Sequence, residues 1–518
     1  MIDDRRYPEL QSDTCPTLRE LQSNILAQIA NIVADVDARL YFSDLVLSPR
    51  PVLWVCGTPD QAAQIVTGLR EAGLWLAQLV GRRVKRFELS DTTPVTGLVF
   101  VKYLYGDVVV HGATSGVELE FCLWSKDISA WHAGRAGVEH SADPIYLDEL
   151  DNFTYLGTTL PILRNAKAVW DRHPARDKID LVYTWVDGND PAWQARKATV
   201  SPDPVMAQAN SAVRFESGSE LSYSLISAWR YFGDLGHIYI VTDRQTPSIP
   251  DALADRVTIV DHTEIFDDPA HLPTFNSHAI EAYLHRIPGL RRRFLYLNDD
   301  MLFGRPTSAS TFFDTTGRSL RFASSAAAIP HSCPGSVVSA ADAAARNNRD
   351  ILLKHFDVFA FQKFKHTPMG IDRDVMNQME ADLPEVWAAT VGNALRSERD
   401  HSIIGHLYCH YTACIGQSVP GAIRYGYFDL GYHDFKSRFD AVLARDWVGL
   451  DVFCVNESIG TRHTKTNRRH MDAVFGQIYP MGPVTRQTPD QSGSNPKLIT
   501  RLAPFIRRRA SKAIRVIR

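Results

Sequence analysis

Between residues 179 and 304 the chain repeats one pattern: an apolar run of strand length, then a longer segment with helical periodicity or turn residues. The runs are "IDLVYTWV" (179–186), "HIYIVTD" (237–243), "RVTIVD" (256–261) and "RFLYLNDDMLFG" (293–304). Their apolar residues fall on both parities, so each strand buries both faces, as in a mainly parallel sheet covered by helices. Between them, "SELSYSLISAWRYF" (219–232) places Leu221, Leu225, Ala228, Trp229 and Phe232 on one helical stripe, and "NSHAIEAYLHRI" (276–287) reads as a second helix. The predicted class is therefore α/β. In such a sheet ligands bind outside the carboxyl ends of the strands. Asp187 with Asn189, Asp243, and Asn298–Asp299–Asp300 stand at those ends and should share one crevice.

At 518 residues the chain exceeds one ordinary core. Residues 1–170 read as a small accessory α/β or α+β domain. It has an amphipathic helix in "LRELQSNILAQIANIVADVDARLYF", with Leu21, Ile25, Ile29 and Ile32 on one stripe. Strand-like "PVLWVCG" and "VELEFCLWS" follow. Residues 171–465 read as a second, larger α/β domain, with a mostly helical insertion over 340–420 and a last strand, "DVFCVNES", able to rejoin the sheet. Residues 466–518 are a polar, then basic, tail. Its last 18 residues hold seven Lys/Arg and no acid. They suit either a basic amphipathic helix on anionic lipid or a solvated end.

A net charge of -3 gives no global pull towards nucleic acid. The opening "MIDDRRYPEL" lacks the apolar core of a signal peptide, and no apolar run approaches the roughly 18–20 residues that span a bilayer. The expected location is cytoplasmic, peripheral to the inner membrane face if the tail binds lipid. Seven dispersed cysteines without a CxxC pair argue against a disulfide framework and structural zinc, and read as small buried hydrophobes.

"FLYLNDDMLFG" is the most informative element. Adjacent carboxylates, Asp299 and Asp300, at a strand end offer hard oxygen ligands of the kind Mg²⁺ shares with substrate phosphates. Alone, the pair equally fits a solvated turn. His366, in "HTPMGIDRDVM" just ahead of a helix, could act as a base near neutral pH. Arg214, Arg396 and Arg399 could fork phosphate oxygens. Glu220 is ambiguous: "SGSE" also fits a capping box, with Ser217 as N-cap and Glu220 at N3. These residues suggest a metal-dependent, phosphate-handling crevice without specifying a reaction.

Taken in order, "IDLVYTWVDGNDPAW", "ELSYSLISAWRYFGDLGHIYIVTDRQTP", "LPTFNSHAIEAYLHRIPGLRRRFLYLNDDMLFG", "HTPMGIDRDVM" and "FCVNES" resemble the signature regions of the Stealth family. That family includes bacterial capsular polysaccharide phosphotransferases and the animal N-acetylglucosamine-1-phosphotransferase. The resemblance spans about 179–460. It implies transfer of a hexose or N-acetylhexosamine 1-phosphate from a UDP-sugar to a polysaccharide or lipid-linked oligosaccharide, with UMP released. The alternative is a metal-dependent glycosyltransferase that releases UDP. By matching positions, Asp300 with Asp299 would ligate Mg²⁺ or Mn²⁺. Glu281, Arg396 and Asn456 would stand at the catalytic centre, and His366 would be the general base. Tyr183, Trp185 and Asp187 would lie near the uridine. Asp180 matches the family too, but simple strand geometry favours Asp187, and the two remain open. Glu457 departs from the pattern, since many members place Asp after the Asn.

Overall fold

The computed structural model describes residues 9–479, apart from 12–15, 44–49, 81–82, 91–94, 106–107, 112–114, 126–129, 133–143, 146–149, 165–166, 169–177, 201–217, 330–338, 444–448 and 458–460. Arg214, Ser217 and the basic tail lie outside the described residues.

The N-terminal region is built on a mixed sheet. Its strands run in the order Leu150–Tyr155, Thr158–Leu163, Arg39–Phe42, Val52–Cys56, Val117–Ser125, Val95–Phe100, Trp75–Val80 and Arg83–Arg86. Helices Leu18–Asp35 and Pro59–Glu71 each start at a capping box, Thr17/Glu20 and Thr58/Gln61. They bury Ile25, Ile29 and Leu69 against Leu53, Val99 and Leu119. Arg19 ties this region to the next, donating to the Gly233 carbonyl at 3.1 Å and to Asp234 Oδ1 at 2.9 Å.

The second region contains the expected sheet. Strands β1 (Ile179–Thr184), β2 (Leu235–Thr242), β3 (Val257–Asp261) and β4 (Arg293–Asn298) are parallel. The order is β3-β2-β1-β4, closed at the β4 edge by an antiparallel strand, Met369–Asp372. Alternation along β1 sends Ile179, Leu181 and Tyr183 into one core and Val182 into the other, which explains the unbroken apolar run. Helix α1 (Glu220–Tyr231) covers the first face. The chain steps outward from β1 to β3 and then returns to the far side of β1 as β4. The order therefore reverses between β1 and β4, whose ends Thr184 and Asn298 are register partners. A crevice opens at such a reversal.

Two expectations change. The "DVFCVNES" segment does not rejoin the main sheet. After the Asp299–Asp300 turn the chain leaves β4 as β5 (Met301–Phe303), which pairs antiparallel with β7 (Val452–Asn456). Strand β7 in turn runs parallel to β6 (Tyr425–Asp429). The helix expected over 276–287 is α-helical only at α2 (Ser277–Glu281), with a 3₁₀ turn at Leu284–Arg286. Residues 340–420 are mostly helical, as expected, and the short strands Gln362–Phe364 and Met369–Asp372 flank His366. Among the described residues no helix is long and apolar enough to cross a membrane.

Candidate active site

The β4–β5 turn delivers Asp299 and Asp300 to the reversal point. Backbone pairing holds the turn in place: Val455 N donates to the Asp300 carbonyl at 3.0 Å. Because Met301 and Cys454 are register partners, the Cys454 thiol lies beside Asp300 and donates to Oδ2 at 3.0 Å. Across the crevice His366 Nε2 stands 3.4 Å from Asp300 Oδ1, long for a good hydrogen bond. Oδ1 is buried and has no well-formed hydrogen bond among the described residues. Burial, then the neighbouring Asp300 and Glu220 carboxylates, push Asp299 up to about 8. Burial pulls the His366 imidazole down, but Asp300 outweighs it, with help from Glu281 and Asp299, so the ring ends above its ordinary value. Burial and then Asp300 raise the Cys454 thiol well above its usual range.

Behind Asp299 lies an ion triad that local sequence did not reveal. Arg468, on α3 (Thr464–Ile478), donates to Glu220 Oε1 and at 2.6 Å to Glu457 Oε2. Both carboxylate side chains are only 10% exposed. The capping-box reading of Glu220 is thereby corrected. Helix α1 begins at Glu220 itself, Ser219 makes no side-chain cap bond, and the carboxylate serves Arg468 and the Gly218 amide, 2.8 Å away. Glu457, the departure from the family pattern, is the other half of this clamp.

A second group lines the β1 side. Glu281 is buried at the end of α2, and its Oε1 accepts from the Tyr296 hydroxyl at 3.3 Å. Tyr296 also meets Thr184 Oγ1 at 3.0 Å. Desolvation raises Glu281, and the Arg396 charge opposes the rise. Arg396 itself donates to Ser277 Oγ at 2.5 Å. Asn456, at the end of β7, bonds the Tyr427 hydroxyl and pairs in register with Asp429.

Asp299, Asp300, His366, Glu281, Arg396 and Asn456 thus gather at the strand ends. The residues expected near the uridine divide. Tyr183 is wholly buried, with its hydroxyl 3.1 Å from Ser224 Oγ, so it supports the crevice from beneath and does not line it. Alternation is the reason, since Thr184 takes the opposite face. Trp185 is half-buried against the α1-side core. Asp187 shapes the turn, with Oδ1 accepting from Asn189 N at 2.9 Å. Asp243 is held by Arg196 Nε at 2.8 Å. Asp180 lies at the opposite end of β1, fully buried, accepting from His237 N at 2.8 Å, Arg291 N at 3.0 Å and the Arg291 guanidinium. Of the two open acids only Asp187 is on the crevice side, and Asp180 fastens the strand's start. Tyr296, Cys454 and Arg468 were missed. Tyr296 and Cys454 read as core residues of apolar strands, and Arg468 meets Glu220 across most of the region's length.

The donor set suits a divalent cation. Asp299, whose ionisation burial and the adjacent carboxylate oppose, and Asp300, with a buried oxygen that lacks a well-formed hydrogen bond among the described residues, are what a cation relieves. Asp299 and Asp300 are the residues that would hold it.

Comparison with known proteins follows the same segments. Conserved region 1 of the Stealth proteins matches residues 177–203, conserved region 2 matches 214–320, and conserved region 3 matches 365–413. The exopolysaccharide phosphotransferase SCO6023 of Streptomyces coelicolor is 40% identical over 319 residues, 61% of this chain and 54% of that protein. The exopolysaccharide phosphotransferase CpsY of Mycobacterium tuberculosis is 34% identical over 357 residues, 67% of this chain and 64% of its own length. The chain spans about half the length of the curated relatives it matches first, 54% and 56%. Among solved structures, the apo-form glycosyltransferase GlyE of Streptococcus pneumoniae TIGR4 aligns at 11% identity over 57% of this chain and 60% of its own. Its TM-score of 0.24 is too low to establish a common fold. Three conserved regions in their proper order, each carrying part of the crevice, lead to one conclusion: the chain belongs to the Stealth family.

Proposed function

We propose that the chain transfers a hexose or N-acetylhexosamine 1-phosphate from a UDP-sugar to a hydroxyl of a cell-surface polysaccharide or its lipid-linked precursor. The acceptor oxygen attacks the sugar-linked phosphorus, the bond from that phosphorus to the bridging oxygen breaks, and UMP leaves with that oxygen. The acceptor's proton passes to His366 Nε2, whose basicity the Asp300 carboxylate increases. Arg396 neutralises charge on the phosphoryl oxygens and Glu281 orients it. Asn456 holds the Tyr427 hydroxyl, which lies near Cys454 and Asp300. A Mg²⁺ or Mn²⁺ ion at Asp299 and Asp300 would supply further neutralisation of the diphosphate.

The observation that carries this reading is the meeting of Asp300 with His366 at 3.4 Å, at the β1/β4 reversal where a nucleotide would lie. The similarity to proteins named as exopolysaccharide phosphotransferases supports phosphotransfer over simple glycosyl transfer. The test is incubation with a panel of UDP-sugars, Mg²⁺ and polysaccharide acceptor, followed by nucleotide analysis. UMP together with a phosphodiester signal in the phosphorus NMR spectrum is the expected outcome. UDP as the released nucleotide would replace the proposal with glycosyl transfer.

A further inference from the structure

Asp300, His366 and Cys454 each present one ligand atom to a common point, with all three atoms within 4.8 Å of one another. Tetrahedral Zn²⁺ with bonds of roughly 2.0–2.3 Å sets its ligand atoms roughly 3.3–3.8 Å apart. The thiol sulfur stands 3.0 Å from Asp300 Oδ2 and the imidazole Nε2 stands 3.4 Å from Asp300 Oδ1, so the one carboxylate faces both other ligands at close to that spacing, through one oxygen each. The three come from separate elements: the β4–β5 turn, the approach to Met369–Asp372, and β7. The β5–β7 register fixes the sulfur, and Cys454 is fully buried. A carboxylate, an imidazole and a thiolate form a borderline-soft set that favours zinc, whereas Mg²⁺ demands oxygen.

We propose that Asp300, His366 and Cys454 form a seat for a thiophilic divalent ion, Zn²⁺ foremost, and that zinc in this seat shuts the crevice down. Binding forms an Sγ–metal bond and releases the thiol proton to water. The fourth position stays open to water or a phosphate oxygen. Zinc takes the His366 nitrogen lone pair and the Asp300 carboxylate together, removing the base and a ligand of the activating cation in one step. The inhibitory half rests on the transfer reaction proposed above; the binding half does not.

The test uses the full chain and Co²⁺ as a spectroscopic stand-in for zinc. Titration should produce a near-ultraviolet thiolate-to-cobalt charge-transfer band that added Zn²⁺ bleaches. In Cys454→Ser the band should vanish and zinc affinity should fall at least about 100-fold. His366→Gln should keep the band but weaken binding, and circular dichroism of both variants checks that they fold. A wild-type chain with no band, or a band that survives Cys454→Ser, overturns the proposal whatever the enzyme does. Zinc should also lower UMP release, and Cys454→Ser should shift the half-inhibiting zinc concentration upward at least about 10-fold relative to its own zinc-free rate. If the band appears and follows Cys454 but no UMP is ever formed, the seat stands and the transfer reading fails. If UMP release is unaffected by zinc at concentrations that fully bleach the cobalt band, the inhibitory half is refuted.

Discussion

Arg468→Met tests how the acidic wall of the crevice is held together. The substitution keeps a helix-favouring residue and most of the apolar stem on α3, and removes only the charge that joins Glu220 to Glu457. Glu220, 10% exposed, would then face Asp299 without the Arg468 charge, and Glu457, equally buried, would lose that charge as well. Breaking a buried pair costs about 3–5 kcal/mol. Arg468 is 23% exposed, which admits some water, so the lower end, about 3 kcal/mol, is the working figure. At roughly 2–4 °C per kcal/mol for a large domain, the melting transition of this region should fall by about 6–12 °C. The deficit should shrink as pH falls through the carboxylate range. Unpaired buried carboxylates have raised folded-state pKa values, so the folded state takes up protons there and is favoured by acid. The assay is thermal unfolding followed by tryptophan fluorescence at several pH values. Adding Glu220→Gln and Glu457→Gln to Arg468→Met should recover most of the loss, because no stranded charge remains. A loss under about 1 kcal/mol, or no recovery in the triple variant, would refute the reasoning.

Other sites give shorter tests. Asp300→Asn should lower turnover by at least about a thousandfold while leaving the melting transition near wild type; normal turnover would reject its proposed role. Asp180→Asn should behave inversely. It replaces one buried carboxylate oxygen with an NH₂ that cannot accept from His237 N or Arg291 N, and should cost about 2–3 kcal/mol, with turnover per folded molecule unchanged; a specific loss of turnover would sink the structural assignment. Tyr296→Phe removes the hydroxyl shared by Thr184 and Glu281, costing about 1–2 kcal/mol, read by thermal unfolding. Burial holds His262 and His401 down to about 4, against 6.5 when exposed. Depressed imidazoles are bound by protons more tightly in the unfolded chain. Each should therefore contribute roughly 3 kcal/mol of stability that is present above pH 6.5 and is lost as pH falls towards 4. Melting temperatures that stay flat from pH 7 to 5 would contradict this.

Much was legible in the sequence because it is local. Continuous apolar runs announced strands buried on both faces, and the acids at their ends announced the crevice, since strand direction alone carries Asp187, Asp299 and Asp300 to one edge. The long motifs placed His366, Glu281 and Arg396 in the same site before any coordinates. What period-two patterning cannot say is which face a given residue takes, so Tyr183, expected near the uridine, proves to lie in the core under the crevice. Nor can turn chemistry foresee a partner far along the chain. "SGSE" is as good a capping box as many, and only the packing of α3 made Glu220 one arm of an ion clamp. The same limit applied to Cys454. Its strand looked like a further member of the main sheet, and antiparallel pairing with Met301–Phe303 instead brought the thiol to Asp300. The sequence by itself determined the strands, their direction and the acids they deliver, because these follow from neighbours a few residues apart. The tertiary structure alone decided which distant charges meet, because that depends on which packed elements bury their apolar faces together.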